Sequence, residues 1–265
     1  MTGRRPTRGQ DGRGDGPMTD LVLLHGGQHG SWCWKFFVDA IKQREALFER
    51  VICLDMPGCG TKRGRDVSTL TFGDIIKELN DELRAANVRD AVLLGHSIAG
   101  VLLPMMATED QSLYSRLVYL ATAVPAEGQS IMELLGSSLH GQNPEEVGWP
   151  LNPVTTAPVD MQKAMFGADM SDAQLTWLLG EAAADVTPPA IATQPAAREG
   201  YANAVPSVYI LTARDGILPP AWQRRFAERL GCEDLIEIDT PHEPFVTDPE
   251  LLGATLAEWM ISRRS

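Results

Sequence analysis

The sequence predicts an α/β fold: a mostly parallel, six-stranded sheet with helices on both faces and a helical insertion between two of the strands. Three observations carry this expectation. Short apolar runs alternate along the chain with stretches of helical periodicity. The runs are almost continuously apolar, as strands covered on both faces must be. Several end at once in glycine or small polar residues, where right-handed crossovers would gather the strand C-termini along one ligand-binding edge.

The first run, Leu21-Val22-Leu23-Leu24, stops at His25-Gly26-Gly27, and a helix is expected from about Trp32 to Arg44. The second, Val51 to Leu54, ends in Asp55-Met56-Pro57-Gly58. Thr71 is placed to cap a helix whose residues Ile75, Ile76, Leu79, Leu83 and Ala86 share one face. Ala91 to Leu94 is the third run and leads directly into Gly95-His96-Ser97; Leu117 to Leu120 is the fourth. Val205 to Leu211 and Leu235 to Ile238 complete the set. A final helix from Pro249 to Ile261 carries Leu252, Leu256 and Trp259 on one face, with proline at its start.

Residues 125–197 break the rhythm. The stretch is rich in Pro, Gly and Met, has no evident strand, and includes a helical piece from Ser171 to Ala184. An insertion of this length reads as a cap over the sheet edge. The domain reading is therefore a sheet core over residues 19–124 and 198–265, with a cap over 125–197. Residues 1–18, Arg- and Gly-rich with no apolar segment, read as a disordered tail or as an extension ahead of a first residue at Met18.

Bulk properties narrow the function. The chain has 265 residues, 44% of them hydrophobic, enough for one sizeable core. Its net charge is −12, and the basic excess in the tail leaves the remainder more acidic still. Such a surface repels phosphate backbones and anionic lipid, which argues against nucleic-acid and membrane partners and for a small molecule. No apolar run reaches the roughly 18 residues of a membrane span. Cys33, Cys53, Cys59 and Cys232 lack metal-ligand spacing. They read as reduced thiols, which places the chain in the cytoplasm. A homodimer stays open.

Gly95-His96-Ser97-Ile98-Ala99-Gly100 follows a strand and opens a helix. That is the context of a nucleophile elbow, which exposes a serine on a sharp turn and demands small residues two positions before and after it. Gly95 meets the first demand; Ala99 stands where glycine is usual. A serine hydroxyl is inert until a base takes its proton. His242, after the last strand, is the candidate base, and Asp215, after the fifth, the candidate acid that orients it. Asp239 is an alternative acid, but it lies too near His242 in sequence to face its ring comfortably. The N–H groups of Gly27 and Ile98 are the expected oxyanion donors. The expected substrate pocket takes Gly26, His96, Trp32 and Glu243 beside the reacting groups, with Met132, Leu135, Met165, Phe166 and Trp177 from the cap. The cap residues equally suit a small core of its own.

With these residues in view, the chain resembles the α/β-hydrolase superfamily along nearly all its length after Met18. It is most similar to the branch of plant methylesterases, plant hydroxynitrile lyases and related bacterial esterases. The narrower resemblance lies in His25-Gly26-Gly27-Gln28-His29-Gly30-Ser31-Trp32-Cys33-Trp34, in Ile217-Leu218-Pro219-Pro220 and in Phe166-Gly167-Ala168-Asp169-Met170-Ser171. Within that pattern His29, Trp32 and Trp34 are expected to be structural or to shape the pocket. The lyases have Thr and Lys where this chain has Gly26 and Glu243. Cyanide release wants a cation near the leaving anion, and Glu243 has the opposite charge. The resemblance thus implies ester hydrolysis through an acyl-enzyme, with no metal or organic cofactor. Hydroxynitrile lyase, amide, thioester or lactone hydrolase, and ligand-binding protein without turnover remain the alternatives.

Overall fold

The structure is a computed structural model, and it describes residues 19–44, 47–198 and 205–263. The expected tail over residues 1–18 lies outside the described residues. Six strands form one parallel sheet: β1 (Thr19–Leu24), β2 (Phe48–Leu54), β3 (Ala91–His96), β4 (Tyr114–Leu120), β5 (Ser207–Thr212) and β6 (Asp234–Ile238). Their order is β2-β1-β3-β4-β5-β6. Every residue of β3 and β5 is buried, whereas the two edge strands keep exposed and half-buried positions, as strands with one open side should.

Helix α1 (Lys35–Lys42) connects β1 to β2, and α2 (Phe72–Ala85) connects β2 back past β1 to β3. The direction of travel reverses between them, so right-handed crossovers put α1 and α2 on opposite faces. Helix α3 (Leu102–Glu109), which follows β3, packs with α2. The region expected as one helix from Trp32 to Arg44 instead opens with a tighter 3-10 turn at Ser31–Trp34. Thr71 caps α2 through a reciprocal capping box with Asp74, worth about 1 kcal/mol.

Between β4 and β5 lie α4 (Ile131–Leu135), α5 (Pro158–Phe166), α6 (Asp172–Ala182) and α7 (Pro189–Thr193). The described residues of this segment contain no strand, only an isolated bridge between Leu139 and Trp149. Helix α8 (Pro220–Leu230) joins β5 to β6 and ends on Gly231 in the left-handed conformation (φ 66°). After β6 come the single turn α9 (Pro244–Thr247) and α10 (Pro249–Ser262). Helix α10 returns to pack against α1, closing that face of the sheet.

Candidate active site

The reversal of strand order at β1 and β3 opens a crevice at their C-terminal ends, since the following segments leave toward opposite faces. Ser97 is the first residue after β3 and holds φ 54°, a left-handed conformation that costs a residue with a Cβ about 1 kcal/mol or more. The turn survives because its neighbours are small. A Cβ on Gly95 would stand 2.3 Å from Leu103 Cδ1, and one on Gly100 2.5 Å from Thr122 Cβ. Ala99 is fully buried and evidently fits where glycine is usual. Ile98 lies in the first turn of the 3-10 segment Ser97–Val101, where backbone N–H groups have no intrahelical acceptor.

The loop after β1 packs directly on this turn. A Cβ on Gly26 would lie 2.9 Å from both Ser97 Cβ and His96 Nδ1; one on Gly27 would lie 2.9 Å from Ile98 Cδ1. His25, fully buried, is a strut: its Nε2 accepts from Met56 N at 3.0 Å, so its Nδ1 donates to the Gly26 carbonyl at 2.8 Å. It joins the loops after β1 and β2, and burial keeps its pKa below the ordinary histidine value.

From the other half of the sheet, the loops after β5 and β6 bring Asp215 and His242 together. His242 Nδ1 donates to Asp215 Oδ2 at 2.6 Å, with both side chains buried. Asp215 Oδ1 accepts the N–H groups of Ile217 (2.7 Å) and Leu218 (2.8 Å). Its Oδ2 also accepts from Thr212 Oγ1 at 2.8 Å and from Gln223 Nε2 at 3.3 Å. Burial pushes the His242 imidazole toward neutrality, but the charge and hydrogen bond of Asp215, with Glu243 beside it, outweigh burial and leave its pKa raised. Its Nε2 is buried with no hydrogen-bond partner. The alternative acid, Asp239, pairs instead with Arg214 at the surface, at 2.8 Å. The His242 carbonyl accepts from His96 Nε2 at 2.9 Å, which fixes the tautomer of His96 and anchors the β6 loop to the serine turn.

The remaining expected pocket residues divide. His29 stacks on Trp32 (ring centroids 5.3 Å apart, planes 14° off parallel) and meets the edge of Phe166 at 5.0 Å. Trp177 meets Trp32 edge-on at 5.3 Å. Trp32, Phe166 and Glu243 therefore gather around one histidine, with Trp177 packed on Trp32, and His96 and Gly26 lie against the serine turn. Met165 is half-buried against the core. Met132 is 46% exposed. Helix α4 turns Ile131, Leu134 and Leu135 inward, so Leu135 belongs to the core cluster and Met132 faces away. The sequence reading missed Asp185, whose carboxylate takes Trp32 Nε1 (2.7 Å), Gly60 N (2.7 Å) and Arg63 Nε (2.6 Å). It pins the inserted segment to the loop after β2, and no local motif announces it.

Glu243 has no exposed surface and neither carboxyl oxygen has a hydrogen-bond partner. Burial raises its pKa to about 8 and lowers that of His29 to about 4. The two stand 3.6 Å apart, and burial favours the uncharged form of each. His96, His242 and Glu243 offer potential ligand atoms within 4.8 Å of one another, the one such grouping among the described residues. A cation there would occupy the His242 lone pair that a serine reaction needs, so the grouping fits proton transfer better than metal binding.

The model of the alpha/beta hydrolase family matches residues 21–255. Among characterised proteins, the chain is 25% identical to methylesterase 9 of Arabidopsis thaliana over 248 residues, 89% of this chain and 95% of that protein. It is 30% identical to a carbendazim hydrolyzing esterase of Nocardioides over 122 residues, 46% of this chain and 49% of that enzyme. The match thus spans about half the length of that relative. A solved pyrethroid hydrolase from Sphingobium faniae shares the fold at a TM-score of 0.70 and 22% identity, over 94% of this chain and 99% of that one.

Proposed function

We propose that this chain, which belongs to the alpha/beta hydrolase family and hydrolyses carboxylic esters, does so through Ser97 as nucleophile, His242 as base and Asp215 as the acid that orients the base. One observation carries the assignment of roles. A buried His242–Asp215 pair, bonded at 2.6 Å with Nε2 left free, lies on the sheet edge where Ser97 occupies a left-handed turn.

In this reading Ser97 Oγ attacks the ester carbonyl as His242 Nε2 takes its proton, and Asp215 stabilises the imidazolium. The N–H groups of Gly27 and Ile98 receive the developing oxyanion, worth about 3 kcal/mol per donor. His242 then protonates the departing alcohol, and water repeats the cycle on the acyl-enzyme. The segment carrying α4–α7 acts as a cap, and the rings of Trp32, Phe166 and Trp177 give the substrate side an apolar aromatic wall. A small, largely apolar ester suits such a wall. The esterase names of relatives aligned over most of both chains support this substrate class. Four unpaired cysteines, Cys33 and Cys59 buried among them, support a reducing compartment, for which we propose the cytoplasm.

The test is chemical. Ser97→Ala is expected to abolish hydrolysis of short p-nitrophenyl esters without loss of fold, and a fluorophosphonate is expected to label the wild type at Ser97 alone. Undiminished hydrolysis by Ser97→Ala, or labelling at another residue, overturns the assignment.

A further inference from the structure

Glu243 is the one wholly buried carboxyl beside the proposed base that the mechanism above does not use. Its backbone is fixed, because its carbonyl accepts Val246 N and Thr247 N, both at 3.0 Å. Its two side-chain oxygens are unsatisfied and so is the facing His29 Nε2. A buried polar group without a partner is costly.

The tautomers follow from the partners. The Gly27 carbonyl can only accept, so His29 Nδ1, 2.8 Å away, carries the proton and Nε2 is a bare acceptor. Glu243 Oε1 stands 3.6 Å from that acceptor, within an ångström of a good O–H···N bond. The neutral carboxyl that burial favours has one proton to give there, which leaves its other oxygen as a pure acceptor. Closing that gap would link Glu243 through His29 to the carbonyl of Gly27, the residue whose own N–H is proposed for the oxyanion. The aromatic lid on His29, from Trp32 and Phe166, supplies no competing donor.

Building on the ester-hydrolase reading, we infer that Glu243 is a specificity-determining residue. Its outer carboxyl oxygen accepts a hydrogen bond from a neutral hydroxyl carried on the carbon next to the scissile carbonyl. A substrate with methyl in place of that hydroxyl leaves the carboxyl unsatisfied once water is expelled, and sites built to bond a hydroxyl discriminate strongly against analogues that lack it.

The experiment compares kcat/KM for methyl mandelate, its analogue with methyl in place of the hydroxyl, and its α-ammonio analogue. The wild type is expected to prefer the hydroxy ester over the methyl analogue at least tenfold. Glu243→Gln should keep the preference, because an amide can donate to His29 Nε2 and still present a carbonyl. Glu243→Met should bring the ratio near one. A wild-type ratio near one overturns the inference, as does an unchanged ratio in Glu243→Met or a stronger preference for the ammonium ester. The wild-type comparison decides even if the Met variant misfolds. Fluorophosphonate labelling of Ser97, run alongside, reports on the esterase assignment independently of this ratio.

Discussion

Replacing Asp215 by asparagine tests the proposed machinery most sharply, because the surroundings dictate how the amide must sit. Two backbone donors, from Ile217 and Leu218, converge on Oδ1 at 2.7 and 2.8 Å. They hold the asparagine carbonyl at that position and force its NH2 into the place of Oδ2. There it faces His242 Nδ1, which now gives a proton to Oδ2 at 2.6 Å. The imidazole can escape a donor-to-donor contact only by moving its own proton to Nε2, and in that tautomer it cannot take the serine proton. Loss of the correct tautomer in such a triad costs about 10⁴ in kcat, or about 5 kcal/mol of barrier. The fold should tolerate the change, since Thr212 Oγ1 can rotate to accept where it formerly donated. The sign of the pH effect follows too. Burial lowers the His242 pKa and Asp215 raises it above the ordinary histidine value, so removing that charge moves the acid limb of kcat/KM to lower pH. The assay is p-nitrophenyl ester hydrolysis across pH, with circular dichroism as the folding control. A loss of less than tenfold at neutral pH, or an acid limb that does not move, refutes the reasoning.

Other outcomes follow from the same structure. Gly95→Ala sets a Cβ 2.3 Å from the fully buried Leu103 and should lower stability by about 1–3 kcal/mol in denaturant titration, with part of the loss recovered by adding Leu103→Ala. Ser97→Gly relieves the left-handed backbone at φ 54°; it should leave Tm unchanged or higher while abolishing turnover, read by calorimetry and ester assay. Asp185→Ala strands Trp32 Nε1 and Gly60 N, leaves Arg63 with Glu181 as its remaining partner, and should cost about 2–3 kcal/mol in thermal or denaturant unfolding. Burial raises the Asp185 pKa, but Arg63, Gly60 N–H and Trp32 together hold it below the ordinary value. Its contribution is therefore complete above about pH 4 and lost as pH falls further, so the wild-type and Asp185→Ala unfolding curves should converge only in acid.

The sheet was legible in the sequence because each of its strands is short, apolar and punctuated. All six expected runs overlap an observed strand, with ends displaced where exposed residues such as Glu49 and Arg50 continue the edge strand β2 without an apolar signature. Ser97, His242 and Asp215 stood out as candidates from their places after strands, and the structure brings the imidazole and carboxylate into contact. Side-chain direction within the insertion was not. Met132 and Leu135 look alike as apolar residues, and only the packing of α4 separates the surface from the core. Long-range polar ties were equally hidden, since nothing near Asp185 foretells Trp32, 153 positions away. Glu243 was visible as a departure from the relatives, yet its unpaired burial against His29 needed the fold.

The placement of His242 behind an edge strand has a consequence for how the molecule comes into being and how it fails. The proposed base arrives just after β6, which is hydrogen-bonded along one side only and is the last strand among the described residues. A polypeptide halted before β6 carries Ser97 and Asp215 but lacks His242, so on the proposed mechanism it is silent during synthesis however much of the sheet has formed. An edge strand is also where peeling is expected to begin on heating. Enzymatic activity should then vanish at a lower temperature than far-UV ellipticity, and coincident curves would show that the border holds as firmly as the centre.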